Sequence, residues 1–275
     1  MEGDEQQALT ATKAAAFHRL HAAGIFVMPN PWDLGSAVTL ERMGFPALAT
    51  TSAGFAWSMG LSDAAVALED ALAHLRAIAG AVAVPVNADF QGGFAVDPEG
   101  VRTNVLAATA TGVAGLSIED STGDPGRPLH DMALAVDRVA AARAAIDASG
   151  TGVVLTARSE GFVVGRPDLD ETIRRLRAYA DAGADCLYAP RIGTLAEVVA
   201  IVDAVAPKPV NLLVNAPFIT VAEAASIGVR RISVGGTLAR AAWAGWLGVA
   251  DEIATAGTFG GFQRLPDVEG MLSAD

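Results

Sequence analysis

Residues 113–160 read VAGLSIEDSTGDPGRPLHDMALAVDRVAAARAAIDASGTGVVLTARSE. A short apolar run at 115–119 ends in Glu119. An alanine-rich run with helical periodicity follows at 132–148. A second β-branched run, at 153–158, ends in Arg158. Short apolar runs bounded by polar residues read as buried strands, and the longer periodic run between them reads as a helix. Two strands joined through a helix form a parallel crossover unit.

The same alternation continues in both directions. Strands are expected at 25–29, 47–51, 84–89, 115–119, 153–158, 186–190, 210–215 and 231–235. Helices are expected at 33–43, 63–79, 97–111, 132–148, 168–182, 195–206, 221–226 and 238–256, with a leading helix at 5–23. Asp33, Asp63, Asp97, Asp168, Thr194 and Thr220 are the expected caps, and Gly24, Gly44, Gly112, Gly183 and Gly228 close helices before the next strand. Eight strand–helix units predict a parallel (β/α)8 barrel of the TIM type. The competing open dinucleotide-binding sheet needs Gly-x-Gly-x-x-Gly after a strand, which the chain does not carry. Barrels of ~250 residues fold as one unit, so a single domain over 1–275 is expected. Within it, 1–23 is the leading helix and 237–275 a C-terminal helical segment.

Composition narrows the chemistry. Of 275 residues, 52% are hydrophobic and 18% charged, and the net charge is −12. That balance argues against nucleic-acid or anionic-membrane partners, whose footprint is basic. The single cysteine, Cys186, excludes an intrachain disulfide and fits a reducing, cytoplasmic setting. The acidic N-terminus does not read as a signal peptide, and the apolar run at 77–86 is too short to span a bilayer. Lys13 and Lys208 are the two lysines. They lie in the leading helix and before strand seven, away from the strand ends where barrel chemistry sits, which excludes Schiff-base chemistry.

The strand ends carry Asn30 with Trp32, Thr51-Ser52-Ala53-Gly54, Asn87 with Asp89, Glu119, Arg158 with Glu160, Tyr188, Asn211 with Asn215, and Gly235-Gly236. Asn87 and Asp89 are two apart and share a strand face, and the mouth is the less costly place for the carboxylate. Asp89 and Glu119 on adjacent strand ends make a hard-oxygen site for Mg2+ or Mn2+. Alternatively, either carboxylate caps a helix or pairs with Arg158. The planar fork of Arg158 suits a substrate carboxylate; its alternative is a salt bridge to Glu160 or Glu119. Ser52, Ala53 and Gly54 offer small residues and amides for an anionic oxygen, with Asn87, Asn211 and Trp32 as further substrate contacts.

Taken in order, PNPWDLGSA (29–37), ATTSAGFAWSMGLSD (49–63), VPVNADFQGGF (84–94), GLSIEDSTG (115–123), LTARSEGF (155–162) and AGADCLYAP (182–190) resemble the isocitrate lyase/phosphoenolpyruvate mutase superfamily. The resemblance implies a (β/α)8 barrel whose last helix is exchanged between subunits. It implies action on 2-oxo acids through Mg2+ and an enolate-like intermediate. It places metal-shell carboxylates at Asp63, Asp89 and Glu119, the substrate-carboxylate arginine at Arg158, and the oxyanion turn at 52–54. The chain departs from the pattern in two places. Asn87-Ala88-Asp89 stands where many members carry Asp-Ala-Asp. The loop 121–130, STGDPGRPLH, lacks the Lys-Cys-Gly-His run of the lyases and the lysine and asparagine of the mutase and phosphonopyruvate hydrolase.

The expected activity is therefore a Mg2+-dependent carbon–carbon lyase of a 2-oxo acid, working by decarboxylation or retro-aldol cleavage; oxaloacetate belongs to this substrate class. The alternatives are a phosphonopyruvate or phosphoenolpyruvate type of mutase or hydrolase, and a non-catalytic 2-oxo acid binder. Trp243, Trp246, Leu247, Phe259 and Phe262 near the C-terminus predict a homo-oligomer, a tetramer.

Overall fold

The computed structural model describes residues 2–273. Eight parallel strands, β1 (Phe26–Met28), β2 (Leu48–Ala49), β3 (Val86–Asp89), β4 (Gly115–Glu119), β5 (Val154–Arg158), β6 (Cys186–Tyr188), β7 (Val210–Leu213) and β8 (Arg231–Ser233), pair in the order β1-β8-β7-β6-β5-β4-β3-β2. The two ends of that order meet through the Ala49 amide, which donates to the Pro29 carbonyl at 3.0 Å. Asn30 seals the same seam. Its Nδ2 donates to the Thr50 carbonyl, and its Oδ1 accepts from the amides of Val234 and Gly235, each at 2.9 Å. The (β/α)8 expectation holds.

The outer layer is α2 (Leu34–Arg42), α4 (Leu68–Ala81), α5 (Pro98–Thr109), α6 (Met132–Ser149), α7 (Leu169–Asp181), α8 (Leu195–Val205), α9 (Val221–Ser226) and α10 (Thr237–Ala256). Expected caps accept backbone hydrogen bonds at Asp33, Asp97, Asp168, Thr194 and Thr220. Each pins a helix start just past a strand-end loop, which fixes where strand-end side chains point. Gly183 ends α7 at φ +104°, and a Cβ there would stand 2.7 Å from the Arg143 side chain, so the position admits only glycine. The main core lies between sheet and helices, around Leu48, Val86, Leu116, Leu155, Leu187 and Leu212.

Two local expectations are corrected. The helix expected at 63–79 is broken: Asp63–Ala65 forms a 3-10 turn, Val66 is extended, and α4 starts at Leu68. Asp63 does not cap it; its carboxylate turns instead to Gln91, whose Nε2 donates to Asp63 Oδ1 at 3.1 Å. The turn expected at 51–54 is the start of a short helix, α3 (Ser52–Ser58), capped by Thr51. The described chain ends with a 3-10 turn, Gly260–Arg264, and α11 (Val268–Ser273). Among the described residues no helix is long and apolar enough to cross a membrane.

The leading helix, α1 (Glu2–Ala22), closes the N-terminal end of the barrel. Phe17 is fully buried there, and a Cβ on Gly115 would come within 2.6 Å of its ring. Above it, the fully buried Arg231 sits inside the barrel. Its Nε donates to Asn211 Oδ1 at 2.8 Å, its Nη2 to Thr156 Oγ1 at 3.0 Å, and its Nη1 lies 3.2 Å from His21 Nε2. His21 Nδ1 lies 2.8 Å from the Phe17 carbonyl, which can only accept, so Nδ1 carries the proton and Nε2 accepts from Arg231. The imidazole is neutral: burial, then Arg231, hold it down at about 3, against an ordinary 6.5.

Between pH 6.5 and 3 the unfolded chain therefore binds a proton at His21 that the folded chain refuses. Stability contributed by neutral His21 is present above 6.5 and is lost as pH falls towards 3. His21→Gln keeps an acceptor for Arg231 without the titration. Urea unfolding at a series of pH values is expected to show a shallower acid limb, between pH 6.5 and 4, for the variant. Equal slopes would remove His21 from the acid response.

Candidate active site

The strand ends deliver one guanidinium and three carboxylates to the barrel mouth. β3, β4 and β5 run in register with Glu119 beside Arg158 and Asp89 beside Ser117. Arg158 Nη1 lies 2.7 Å from Asp89 Oδ1, Nη2 lies 3.1 Å from Glu119 Oε2, and Nε lies 2.8 Å from Glu160 Oε1. All three edges of the fork are thus engaged by carboxylates, which is the salt-bridge alternative raised by the sequence. The Tyr188 ring packs under the guanidinium, 5.3 Å from Cζ.

Each carboxylate also has its own support. Asp89 Oδ2 accepts from the Ser52 amide at 3.0 Å and from Ser52 Oγ at 2.9 Å, so the first turn of α3 points at Asp89. Glu119 Oε1 accepts from Ser121 Oγ at 2.7 Å. Glu160 is held from behind: its amide donates to Asp120 Oδ1 at 2.8 Å, while Asp120 Oδ2 accepts from the Tyr179 hydroxyl at 2.6 Å and Arg175 Nη1 at 3.2 Å. The Asp120 cluster ties α7 to the loops after β4 and β5.

Around Arg158 the carboxyl groups outnumber the guanidinium. Burial pushes Glu160 up to about 8, and Arg158 offsets part of that shift. Burial also raises Glu119, with Arg158 opposing and Asp89 and Asp63 adding to the rise. Burial raises Asp63 too, and the Asp89 charge adds to it. Burial works against the Arg158 charge, but Glu160, Glu119 and Asp89 outweigh it and keep the fork protonated.

This donor set suits a hard cation in charge and in chemistry, because it is all oxygen and one guanidinium does not neutralise it. Asn87 Oδ1 is a buried oxygen without a hydrogen-bond partner, but it lies against Gly115 at the start of β4. Among the described residues, however, no three of His, Cys, Asp or Glu converge to grip an ion directly. The facing oxygens of Asp89 and Glu119 are turned to Arg158. The residues present therefore fit a hydrated Mg2+ or Mn2+ better than a fully stripped one.

A cavity of about 810 Å³ opens on this cluster. Asp89, Glu119, Arg158, Ser52, Ala53, Asp63, Asn87 and Asn211 line it. Gly54 and Trp32 do not. The Gly54 amide donates to its cap, Thr51 Oγ1, at 3.3 Å, and a Cβ there would stand 2.9 Å from Trp32 Cβ. The pair packs α3 onto the barrel. Lys13 Nζ donates to the carbonyls of Ala79 and Val82, and Lys208 Nζ to that of Ala184, outside the cavity. Cys186 is buried and also lies outside it. The loop 121–130 folds on itself through the Ser121–Leu129 bridge, and His130 joins the lining. Ser117, Ser121, Gln91, Tyr188 and Arg138 line the cavity without having been singled out as contacts. Period-two alternation from Glu119 points to Ser117, and register with Arg158 points to Tyr188; nothing local marks Arg138, which arrives from a helix.

A barrel with acid and arginine chemistry at the carboxyl ends of β3, β4 and β5 belongs among the enzyme barrels. Residues 17–254 match the family model described as phosphoenolpyruvate phosphomutase. The chain belongs to that family, within the isocitrate lyase/phosphoenolpyruvate mutase superfamily, whose members include lyases and mutases. A solved Burkholderia cenocepacia structure, assigned provisionally as a lyase/mutase, is 43% identical with a TM-score of 0.93, covering 97% of this chain and 98% of that one. The 2-methylisocitrate lyase of Escherichia coli is 33% identical over 169 residues, 58% of this chain and 55% of the relative. A phosphonopyruvate hydrolase solved with oxalate and Mg++ is 27% identical with a TM-score of 0.84, covering 94% of this chain and 93% of that one.

Asp120 is the brace behind Glu160, and its loss is expected to be felt in stability. Tyr179→Phe removes one hydrogen bond to a buried carboxylate, an interaction of about 2 kcal/mol. The urea midpoint is expected to drop accordingly with the m-value unchanged. An unshifted midpoint would show that Tyr179 does not support the cluster.

Proposed function

We propose that the protein is a Mg2+-dependent lyase that cleaves a carbon–carbon bond of a 2-oxo carboxylic acid and leaves an enolate. The observation that carries this reading is the Arg158 fork, immobilised by Asp89, Glu119 and Glu160 at the mouth of the cavity. Family membership and the Mg++ and oxalate named for the phosphonopyruvate hydrolase structure support it. Asp89 and Glu119, with Asp63 further out, are the residues that would hold the metal. When bound, it would supply Lewis-acid stabilisation of the enolate oxygen.

The chain's own groups do the rest. Arg158, already oriented by its three carboxyl partners, offers its remaining N–H groups to the substrate carboxylate, so little ordering cost falls on binding. Ser52 and Ala53 bring the first turn of α3 to the same place. Asn87 and Asn211 line the barrel below. Burial pushes the Tyr188 hydroxyl up to about 12, so it stays protonated at neutral pH and remains an O–H donor in the cavity. With both lysines and the cysteine elsewhere, covalent catalysis through them has no support. Loss of CO2 or of a retro-aldol fragment fits this inventory, since neither needs a covalent nucleophile.

The test is turnover of 2-oxo mono- and dicarboxylates with Mg2+. Asp89→Ala is expected to lower kcat/KM by roughly a hundredfold or more, equivalent to about 3 kcal/mol of transition-state stabilisation. Asn87→Asp is expected to tighten Mg2+ in calorimetry without ligand, by restoring a charge. Activity unchanged in excess chelator would overturn the metal role. Stoichiometric binding without turnover would favour a 2-oxo acid binding protein instead, and release of phosphate from phosphonopyruvate would favour a hydrolase.

The oligomer is part of the same proposal. In the 20-residue α10 only Ala239 is buried, while Trp243, Trp246 and Leu247 are exposed, as are Phe259 and Phe262 beyond it. Such a run of exposed aromatic surface is costly in a lone subunit. Light scattering at micromolar concentration is expected to give a homotetramer, and a monomer would remove the proposal.

A further inference from the structure

The enolate left by carbon–carbon cleavage needs a proton, and the reading above names no group that gives it. Both lysines and Cys186 lie outside the cavity. Ser52 gives its hydroxyl hydrogen to Asp89, Ser121 to Glu119 and Ser117 to the Ala88 carbonyl. The carboxyl groups of Asp89, Glu119 and Glu160 face Arg158 as acceptors. Burial holds His130 neutral at about 4, so it carries no spare proton. Of the O–H groups that remain, the phenol of Tyr188 is the most acidic. Tyr188 is 9% exposed and lines the cavity.

The strand register aims that hydrogen. Arg158, Tyr188, Asn211 and Arg231 are successive Cα partners across β5, β6, β7 and β8. Arg231, at the barrel floor, can only donate. Its Nε bonds Asn211 Oδ1 at 2.8 Å, which leaves the Asn211 amide nitrogen to donate to Ser233 Oγ at 2.9 Å. The Ser233 oxygen accepts there, so its own hydrogen goes to the Tyr188 oxygen, where it works against the burial that raises the hydroxyl. With its oxygen accepting from Ser233, Tyr188 turns its own hydrogen to the cavity. Each direction along this chain follows from one group, Arg231, that cannot reverse its role. On its other side the Tyr188 ring lies 5.3 Å from Arg158 Cζ, a cation placed to steady a phenolate.

We propose that the Tyr188 hydroxyl is the proton donor that quenches the enolate, with Arg231, Asn211 and Ser233 as positioning residues behind it. This rests on the 2-oxo acid lyase reading and supplies its second half. The enolate's electron pair forms a C–H bond with the Tyr188 hydrogen, and the carbonyl of the 2-oxo acid re-forms. The O–H bond breaks, and its electron pair stays on the Tyr188 oxygen. The resulting phenolate is faced by the Arg158 charge and the Ser233 hydroxyl. It regains a proton from water once the product has left, so no further reactant is needed. A proton given inside the cavity also quenches the enolate before it can escape into solvent.

Oxaloacetate in Mg2+ is the probe, because its cleavage yields CO2 first and pyruvate only after the enolate is protonated. In a single turnover, wild type is expected to release CO2 and form pyruvate together. Tyr188→Phe keeps the ring under Arg158 and loses the hydrogen. It is expected to slow pyruvate formation about a hundredfold more than CO2 release. Ser233→Ala is expected to show a smaller lag of the same kind, and Ser233→Thr, which restores a hydroxyl, to remove it. That pair carries the test if the phenylalanine variant does not fold. An equal effect of Tyr188→Phe on the two steps, or none, would overturn the donor role, since a merely structural part cannot separate them. Oxalate calorimetry keeps the two readings apart. Wild type that binds oxalate but does not cleave oxaloacetate would also overturn the donor role, and leave 2-oxo acid binding standing. Wild type that does neither would overturn the 2-oxo acid reading itself, and the donor with it.

Discussion

The site depends on a single guanidinium that holds three strand-end carboxylates together. Without Arg158, Asp89, Glu119 and Glu160 would face one another across the mouth as like charges in a poorly hydrated space. With it, each carboxylate has a fixed direction, and the supporting donors, Ser52, Ser121 and the Asp120-anchored amide of Glu160, can be built behind them.

A second buried arginine makes a useful contrast. Among the described residues Arg231 has no salt-bridge partner. Asn211, Thr156, a neutral His21 and the ring of Phe17 at 5.9 Å share its charge. The lower barrel is therefore a polar floor that is positive, set below an acidic mouth. Asn211 belongs to both levels: its Oδ1 is fixed by Arg231, so its Nδ2 is aimed at Ser233 Oγ at 2.9 Å, inside the cavity wall. The leading helix, by supplying Phe17 and His21, thereby helps orient a residue of the site.

The sequence exposed the barrel because strand and helix periods differ, and because each capped helix announces where a strand has just ended. It exposed Asp89, Glu119 and Arg158 because charge at a strand end has few places to go. It did not expose the break at Val66. Asp63 reads as a helix cap until its side chain is seen reaching Gln91, a residue 28 positions away. The helical start at Ser52 was hidden by a run of small residues that turns also use, and with it the fact that the Gly54 amide is spent on Thr51. Arg138 was hidden for a different reason. It sits mid-helix among alanines, and only the packing of α6 against two loops gives it a cavity to line.

The seam between β1 and β2 has a mechanical consequence. Asn30 fastens the end of β1 to the Thr50 carbonyl on one side and to the Val234 and Gly235 amides on the other. Gly235 leads directly into α10, whose Ala239 lies against Gly54 and whose Arg240 stacks on Trp57, 5.5 Å from the ring. The root of the helix that bears the exposed tryptophans is therefore geared to α3, the element that presents Ser52 to Asp89. One asparagine and one short helix thus form a continuous path of contacts from the helix that bears the exposed tryptophans to the carboxylate at the centre of the mouth.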